Sequence, residues 1–94
     1  MQNKVIIKLV VPEIGETYDV YLPVNKKIGN IVKSLNKAVH EFTGGKYPLS
    51  EENKLYNAIT KEYYEYDTML IQTNIRNGSK LVLLTWCKQF SKEK

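Results

Sequence analysis

Apolar positions alternate cleanly at the start of the chain. Val5, Ile7, Leu9 and Val11 fall on one face of an extended segment over residues 4–11, and Ile6, Lys8 and Val10 fall on the other. Pro12-Glu13-Ile14-Gly15-Glu16 supplies a turn. A second strand follows over Thr17 to Leu22, with Tyr18, Val20 and Leu22 on one face and Asp19 and Tyr21 on the other. So short a link predicts an antiparallel hairpin. After Pro23 the period changes. Ile28, Ile31, Val32, Leu35, Val39 and Phe42 recur at helical steps and predict one apolar stripe on a helix. Asn25 is the expected N-cap. Gly44-Gly45 is the expected stop, because glycine accepts the left-handed conformation that ends a helix. Lys26, Lys33 and Lys37 lie opposite the stripe and read as a solvated face, with an acidic partner as the functional alternative.

The second half is less regular. Residues 46–53 read as a loop around Pro48. A short strand is expected near 54–59 and a shorter one near 62–65, in a segment rich in Tyr, Ile and Thr. Met69 to Thr73 resembles a single helical turn, and Asn77-Gly78 is a strong turn signal. Lys80 to Trp86 forms the last strand, with Leu81 and Leu83 on one face and Val82, Leu84 and Trp86 on the other. Gln89 to Lys94 reads as a polar tail around Phe90. These elements predict an α+β fold: a mixed sheet of four to five strands with one helix packed across it. The right-handed crossover rule places the last strand centrally, parallel to the first. One domain is expected over residues 1–88, followed by a flexible tail over 89–94.

Composition narrows the function classes. A chain of 94 residues has room for one small core. No apolar run approaches the roughly 18 residues that span a bilayer, so membrane insertion is not expected. Lys8 interrupts the apolar run at 5–11 and no small-residue cleavage site follows, which favours a strand over a signal peptide. Cys87 is the single cysteine, which excludes an internal disulfide and suits the reducing cytoplasm. A net charge of +4, with both signs interspersed, permits an acidic partner without demanding one.

Candidate chemistry is sparse. His40 is the single histidine and reads as a surface residue; pairing with Cys87 would still lack an orienting third group. Ser50-Glu51-Glu52 and Glu62-Tyr63-Tyr64-Glu65 hold neighbouring acids, which read as loop charges because a domain this small offers little cleft for a catalytic pair. There is no phosphate-binding glycine loop. No catalytic, cofactor-binding or metal-ligating residue is expected. Seven tyrosines among 14 Lys and Arg raise nucleic-acid binding as the alternative class, since aromatic rings flanked by cations can stack single-stranded bases. Acids beside Tyr63 and Tyr64, and the lack of a nucleic-acid-binding motif, make it the less favoured one.

Leu70-Ile71-Gln72-Thr73-Asn74-Ile75-Arg76-Asn77-Gly78-Ser79-Lys80-Leu81-Val82-Leu83 carries a Leu, an Ile five residues on, a turn and then Leu-x-Leu. This segment resembles the one that closes the ubiquitin fold. The step from Val20-x-Leu22-Pro23 to Ile28-x-x-Ile31 also resembles ubiquitin-like proteins, over about residues 4–86. The resemblance implies a β-grasp (ubiquitin-like) domain that binds proteins. Tyr18-Asp19-Val20-x-Leu22-Pro23 before a lysine-bearing amphipathic helix is similar to the bacterial YukD/EsaB family, associated with type VII (WXG100-type) secretion. It implies an accessory or regulatory role there, with secretion-system components among the partners. Conjugated relatives carry a terminal Gly-Gly. This sequence reads Phe90-Ser91-Lys92-Glu93-Lys94 at that end, so covalent tagging is not expected.

Ile6, Val10, Tyr21, Tyr56, Val82, Leu84 and Trp86 share the sheet face away from the helix in this register, with Lys8 and Lys54 beside them. A merely solvated face would alternate into polar residues. These nine residues are the expected protein-binding surface, whether for another protein or for a homodimer; the alternatives are a tail folded back so that Phe90 covers the face, or an ordinary scatter of exposed apolar residues.

Overall fold

A computed structural model describes residues 3–47 and 53–85. Strands β1 (Lys4–Val11) and β2 (Glu16–Pro23) pair antiparallel in the register that the alternation requires. Ile7 lies opposite Val20 and Leu9 opposite Tyr18 on one face; Ile6 opposite Tyr21 and Lys8 opposite Asp19 on the other. Ile7, Leu9, Val11 and Leu22 are fully buried, with Val5, Tyr18 and Val20 packed around them.

Helix α1 (Ile28–Phe42) lays Ile28, Ile31, Val32, Leu35 and Val39 against that face. Two details differ from the sequence expectation. The helix starts after Lys27, not Asn25, and no side chain caps it. Its first N–H groups are satisfied instead by distant backbone: Ile28 N–H donates to the Thr68 carbonyl at 2.8 Å and Gly29 N–H to the Tyr66 carbonyl at 3.0 Å. Local pattern could not reveal a cap supplied from forty residues away. At the other end Phe42 leaves the stripe. It is 69% exposed, and its ring tilts against Tyr18 at 5.7 Å between centroids. Gly44 and Gly45 do end the helix, at φ values of 64° and 93°.

Strand β3 (Asn53–Asn57), the two-residue β4 (Glu62–Tyr63) and β5 (Lys80–Thr85) complete a five-stranded sheet in the order β2-β1-β5-β3-β4. As the crossover rule requires, β5 is central and parallel to β1. Leu55, Leu81 and Leu83 join the core from these strands. A 3-10 turn at Leu70–Gln72 adds Leu70, and Ile75 follows it. Strand β3 stops at 57 rather than 59 because Asn57 folds the chain back: its Oδ1 accepts from the N–H groups of Ile59 and Thr60 at 2.8 and 3.0 Å. The strand near 62–65 is correspondingly confined to 62–63.

Of the loop expected over 46–53, residues 46, 47 and 53 are described, and Asn53 already belongs to β3. Tyr47 is fully buried. Its hydroxyl accepts from Asn53 Nδ2 at 2.8 Å, and that same nitrogen donates to Asn36 Oδ1 at 2.7 Å. This buried amide ties α1, the post-helix segment and β3 together. Pro48, Ser50-Glu51-Glu52, Trp86, Cys87, Phe90 and the expected tail at 89–94 lie outside the described residues.

Leu35→Ala should lower stability by about 2–5 kcal/mol in urea melts, whereas Phe42→Ala should cost less than about 1 kcal/mol. Equal losses would contradict the burial difference.

The Tyr64 hydroxyl donates to Asn74 Oδ1 at 2.6 Å and accepts from Asn57 Nδ2 at 2.8 Å. Burial pushes its pKa up, the Asn57 hydrogen bond opposes this, and Glu62 adds to the rise. A folded-state pKa above the unfolded value contributes stability that is complete below the ordinary pKa of 10.0 and is lost as pH rises through the folded value. Unfolding midpoints should therefore fall at alkaline pH, and Tyr64→Phe should flatten that slope.

Candidate functional site

Among the described residues, the helix covers one face of the sheet and the other face is open. Period-two alternation assigns each side chain to one or the other. On the open face the register aligns one residue from every strand in a single row: Thr17, Val10, Val82, Tyr56 and Tyr63. Val10, Tyr56 and Val82 are half-buried by their neighbours, and Tyr63 is 59% exposed. The Tyr56 and Tyr63 rings meet at 4.9 Å between centroids, inclined by 53°. Leu84, half-buried, extends this apolar ground along β5, with Lys54 opposite it on β3.

A second row is charged. Lys8 faces Asp19 on β2 and Lys80 on β5. Lys8 Nζ lies 2.9 Å from Asp19 Oδ1, an exposed ion pair worth at most about 1 kcal/mol. Beyond it sits the corner of Ile6 and Tyr21, which are 36% and 66% exposed. The nine residues expected to form one patch therefore divide. Val10, Lys54, Tyr56, Val82 and Leu84 come together. The charged row separates Ile6 and Tyr21 from them, and Lys8 belongs to that row. Trp86 lies outside the described residues.

Two residues of this face were missed in sequence. The imperfect alternation over 54–65 does not fix the face on which Tyr63 lies. The β3–β4 register points Glu62 to the helix side and Tyr63 to the open side. Lys80 follows from alternation, two positions before Val82. Lys54 reaches over the sheet edge, its Nζ 5.6 Å from the Tyr66 ring centroid, within cation–π range.

Other candidates carry less. Lys33 and Lys37 line a shallow cleft with Asn30, Asn36, Asn53 and Tyr66. The first two helix N–H groups beside it, of Ile28 and Gly29, are already bonded to the Thr68 and Tyr66 carbonyls. His40 is half-buried rather than a surface residue, with Nδ1 2.6 Å from the Tyr47 carbonyl. A carbonyl only accepts, so Nδ1 carries the proton and is engaged structurally. Among the described residues, no group of three or more His, Cys, Asp or Glu could hold a metal ion, and no helix is long and apolar enough to cross a membrane.

No protein-family model and no curated protein sequence matches the chain. Solved structures do. A chain of the MycP5-free ESX-5 inner membrane complex (State II) superposes with a TM-score of 0.73 at 18% identity over 88% of this chain. This chain spans only 21% of that one. The ubiquitin-like domain of the Mycobacterium tuberculosis type VII secretion system protein ECCD1 gives 0.68 at 12% identity, over 89% of this chain and 100% of the domain. The N-terminal ubiquitin-like domain of the 4931431F19Rik protein gives 0.70 at 14% identity, over 93% of this chain and 79% of that one. The fold is ubiquitin-like. At these identities the likeness establishes the β-grasp architecture of the domain and nothing about its ligands.

Opposite faces of one strand should respond differently to the same change. Leu83→Ser, on the covered face, should cost on the order of 3–5 kcal/mol. Leu84→Ser, on the open face of the ubiquitin-like sheet, should cost about 1 kcal/mol and leave the circular dichroism spectrum unchanged. Reversed magnitudes would mean that β5 is out of register by one residue.

Proposed function

We propose that this domain is a non-covalent protein-binding module. In this proposal it works in the bacterial cytoplasm as an accessory or regulatory component of a type VII secretion system, without catalysis. The observation that carries the binding role is the five-strand row Thr17–Val10–Val82–Tyr56–Tyr63 with Leu84 beside it. An open face rich in apolar and aromatic side chains marks an interface, and tyrosine is a frequent anchor. Gly44-Gly45, the internal glycine pair, already has a role as helix stop. Support for the secretion setting comes from the likeness to the ESX-5 complex chain and to the ECCD1 domain, and from the YukD/EsaB-like Tyr18-Asp19-Val20-x-Leu22-Pro23 segment. A chain with one cysteine also suits a reducing compartment.

One observation favours nucleic acid as a second reading: the tyrosine pair is flanked by Lys54 and Lys80. However, each ring of the pair already packs on the other and Tyr56 is half-buried, so Tyr63, 59% exposed, is the one ring of the pair left to stack on a base.

Deleting the gene should reduce export of WXG100-type substrates. The wild-type gene and a Lys33→Glu/Lys37→Glu variant should restore export; a folded Tyr56→Ala/Leu84→Glu variant should not. Undiminished export after deletion would remove the secretion role. Full rescue by the sheet variant would move the binding surface elsewhere.

A further inference from the structure

The open face has a charge sign of its own. Its strand positions hold four lysines, Lys4, Lys8, Lys54 and Lys80, against one acid, Asp19. All five are exposed. Asp19 is committed to Lys8, so that pair contributes little net field. Lys80 lies one level to one side of the apolar row and Lys54 one level to the other; neither has an ion pair among the described residues, and Lys54 Nζ rests 5.6 Å from the Tyr66 ring centroid. The acids of the neighbouring strand positions point the other way: Glu16 lies opposite Val11 and Glu62 opposite Asn57, both on the helix side. Among the described residues the face thus has an apolar centre, a basic margin and a single acid, Asp19, on its strand positions.

This charge pattern decides between two occupants. A second copy docked face to face would bring this lysine-bearing margin against its own kind, with only the already paired Asp19 to compensate among the described strand positions. Like charges brought together at an interface are desolvated and repel, which works against association. A surface with an apolar centre and a margin of Asp and Glu would match the row with its own apolar side chains and place carboxylates beside the ammonium groups of Lys80 and of Lys54, the latter turning back from the Tyr66 ring. We infer that the occupant of this face is a protein segment combining apolar anchors with excess acid, held by Lys54 and Lys80, and that it is not a second copy of this chain. The inference rests on the proposed binding role of the sheet face.

The test is a selection from a phage-displayed random dodecapeptide library on the immobilised domain, with sedimentation of the free domain. Enriched peptides should combine Asp or Glu with Leu, Phe or Trp. A synthetic peptide of the most enriched sequence should bind at least about tenfold more weakly to Lys54→Glu/Lys80→Glu. It should also weaken as salt rises from about 0.05 to 0.5 M, because exposed charges are screened. It should bind Lys33→Glu/Lys37→Glu as it binds wild type. The free domain should sediment as a monomer at about 0.1 mM, where a face-to-face dimer of micromolar affinity would be populated. Each variant is first shown to keep the wild-type circular dichroism spectrum. Neutral or basic enriched peptides that are lost in Leu84→Ser would overturn the acidic partner and leave the face intact as a binding site. Acidic peptides that bind Leu84→Ser and the Lys54/Lys80 variant undiminished would overturn both. A dimer broken by Leu84→Ser would make the second copy the occupant. Failure to enrich any peptide, or tighter salt-dependent binding of a labelled single-stranded oligonucleotide, would also overturn the inference.

Discussion

The central parallel pairing of β1 with β5 is the constraint on which the rest depends. Parallel neighbours cannot be joined by a tight turn, so the chain must leave the sheet and return. It does so through α1, and the helix covers one face on the way. The pairing is fixed at its entrance by specific hydrogen bonds. Ile6 N–H donates to Asn77 Oδ1 at 2.8 Å, Gly78 N–H to the Ile6 carbonyl at 2.8 Å, and Lys8 N–H to the Ser79 carbonyl at 2.9 Å. Gly78 has a φ of 90°, a conformation that costs glycine little. Together these contacts set Lys8 beside Lys80 and Val10 beside Val82. A slip of one residue would turn Leu81 and Leu83 out and bring Val82 and Leu84 in. One turn therefore determines both the core and the composition of the open face.

The parts of the fold written in short-range periodicity were legible. The β1–β2 hairpin, the helical stripe from Ile28 to Val39 and the two faces of β5 all follow from spacing, because burial on one side imposes a period that sequence displays directly. What stayed hidden was set by long-range partners. The start of α1 depends on the Thr68 and Tyr66 carbonyls, and the end of β3 on Asn57. Tyr47 and Asn53 bury themselves through hydrogen bonds to each other and to Asn36, in a stretch whose polar and proline content reads as loop. Phe42 fits the helical period but lies past the cover that the sheet provides.

The candidate site shows the same division. Membership of the open face was readable strand by strand, since it needs only the parity of each position. The arrangement of its members was not, because rows across a sheet depend on interstrand register. Seven apolar residues on one face look like a single patch in sequence. Register instead draws the Asp19–Lys8–Lys80 row between the Tyr21–Ile6 corner and the Val10–Val82–Tyr56–Tyr63 row.

That row has a physical consequence for recognition. Along a strand, successive residues of one face are about 7 Å apart, so the charges lie within direct reach of any partner seated on the apolar row. The partner cannot spread over both apolar areas without covering the Lys8–Asp19 pair, and covering an ion pair incurs desolvation that its attraction does not reliably offset. A partner confined to the β1–β5–β3–β4 side avoids that cost and still meets Lys80 and Lys54 at its margin. The ion pair then limits where a partner can sit, and Lys54 and Lys80 select its charge. Affinity would come from Val82, Leu84 and the tyrosine pair, and discrimination from the charges around them.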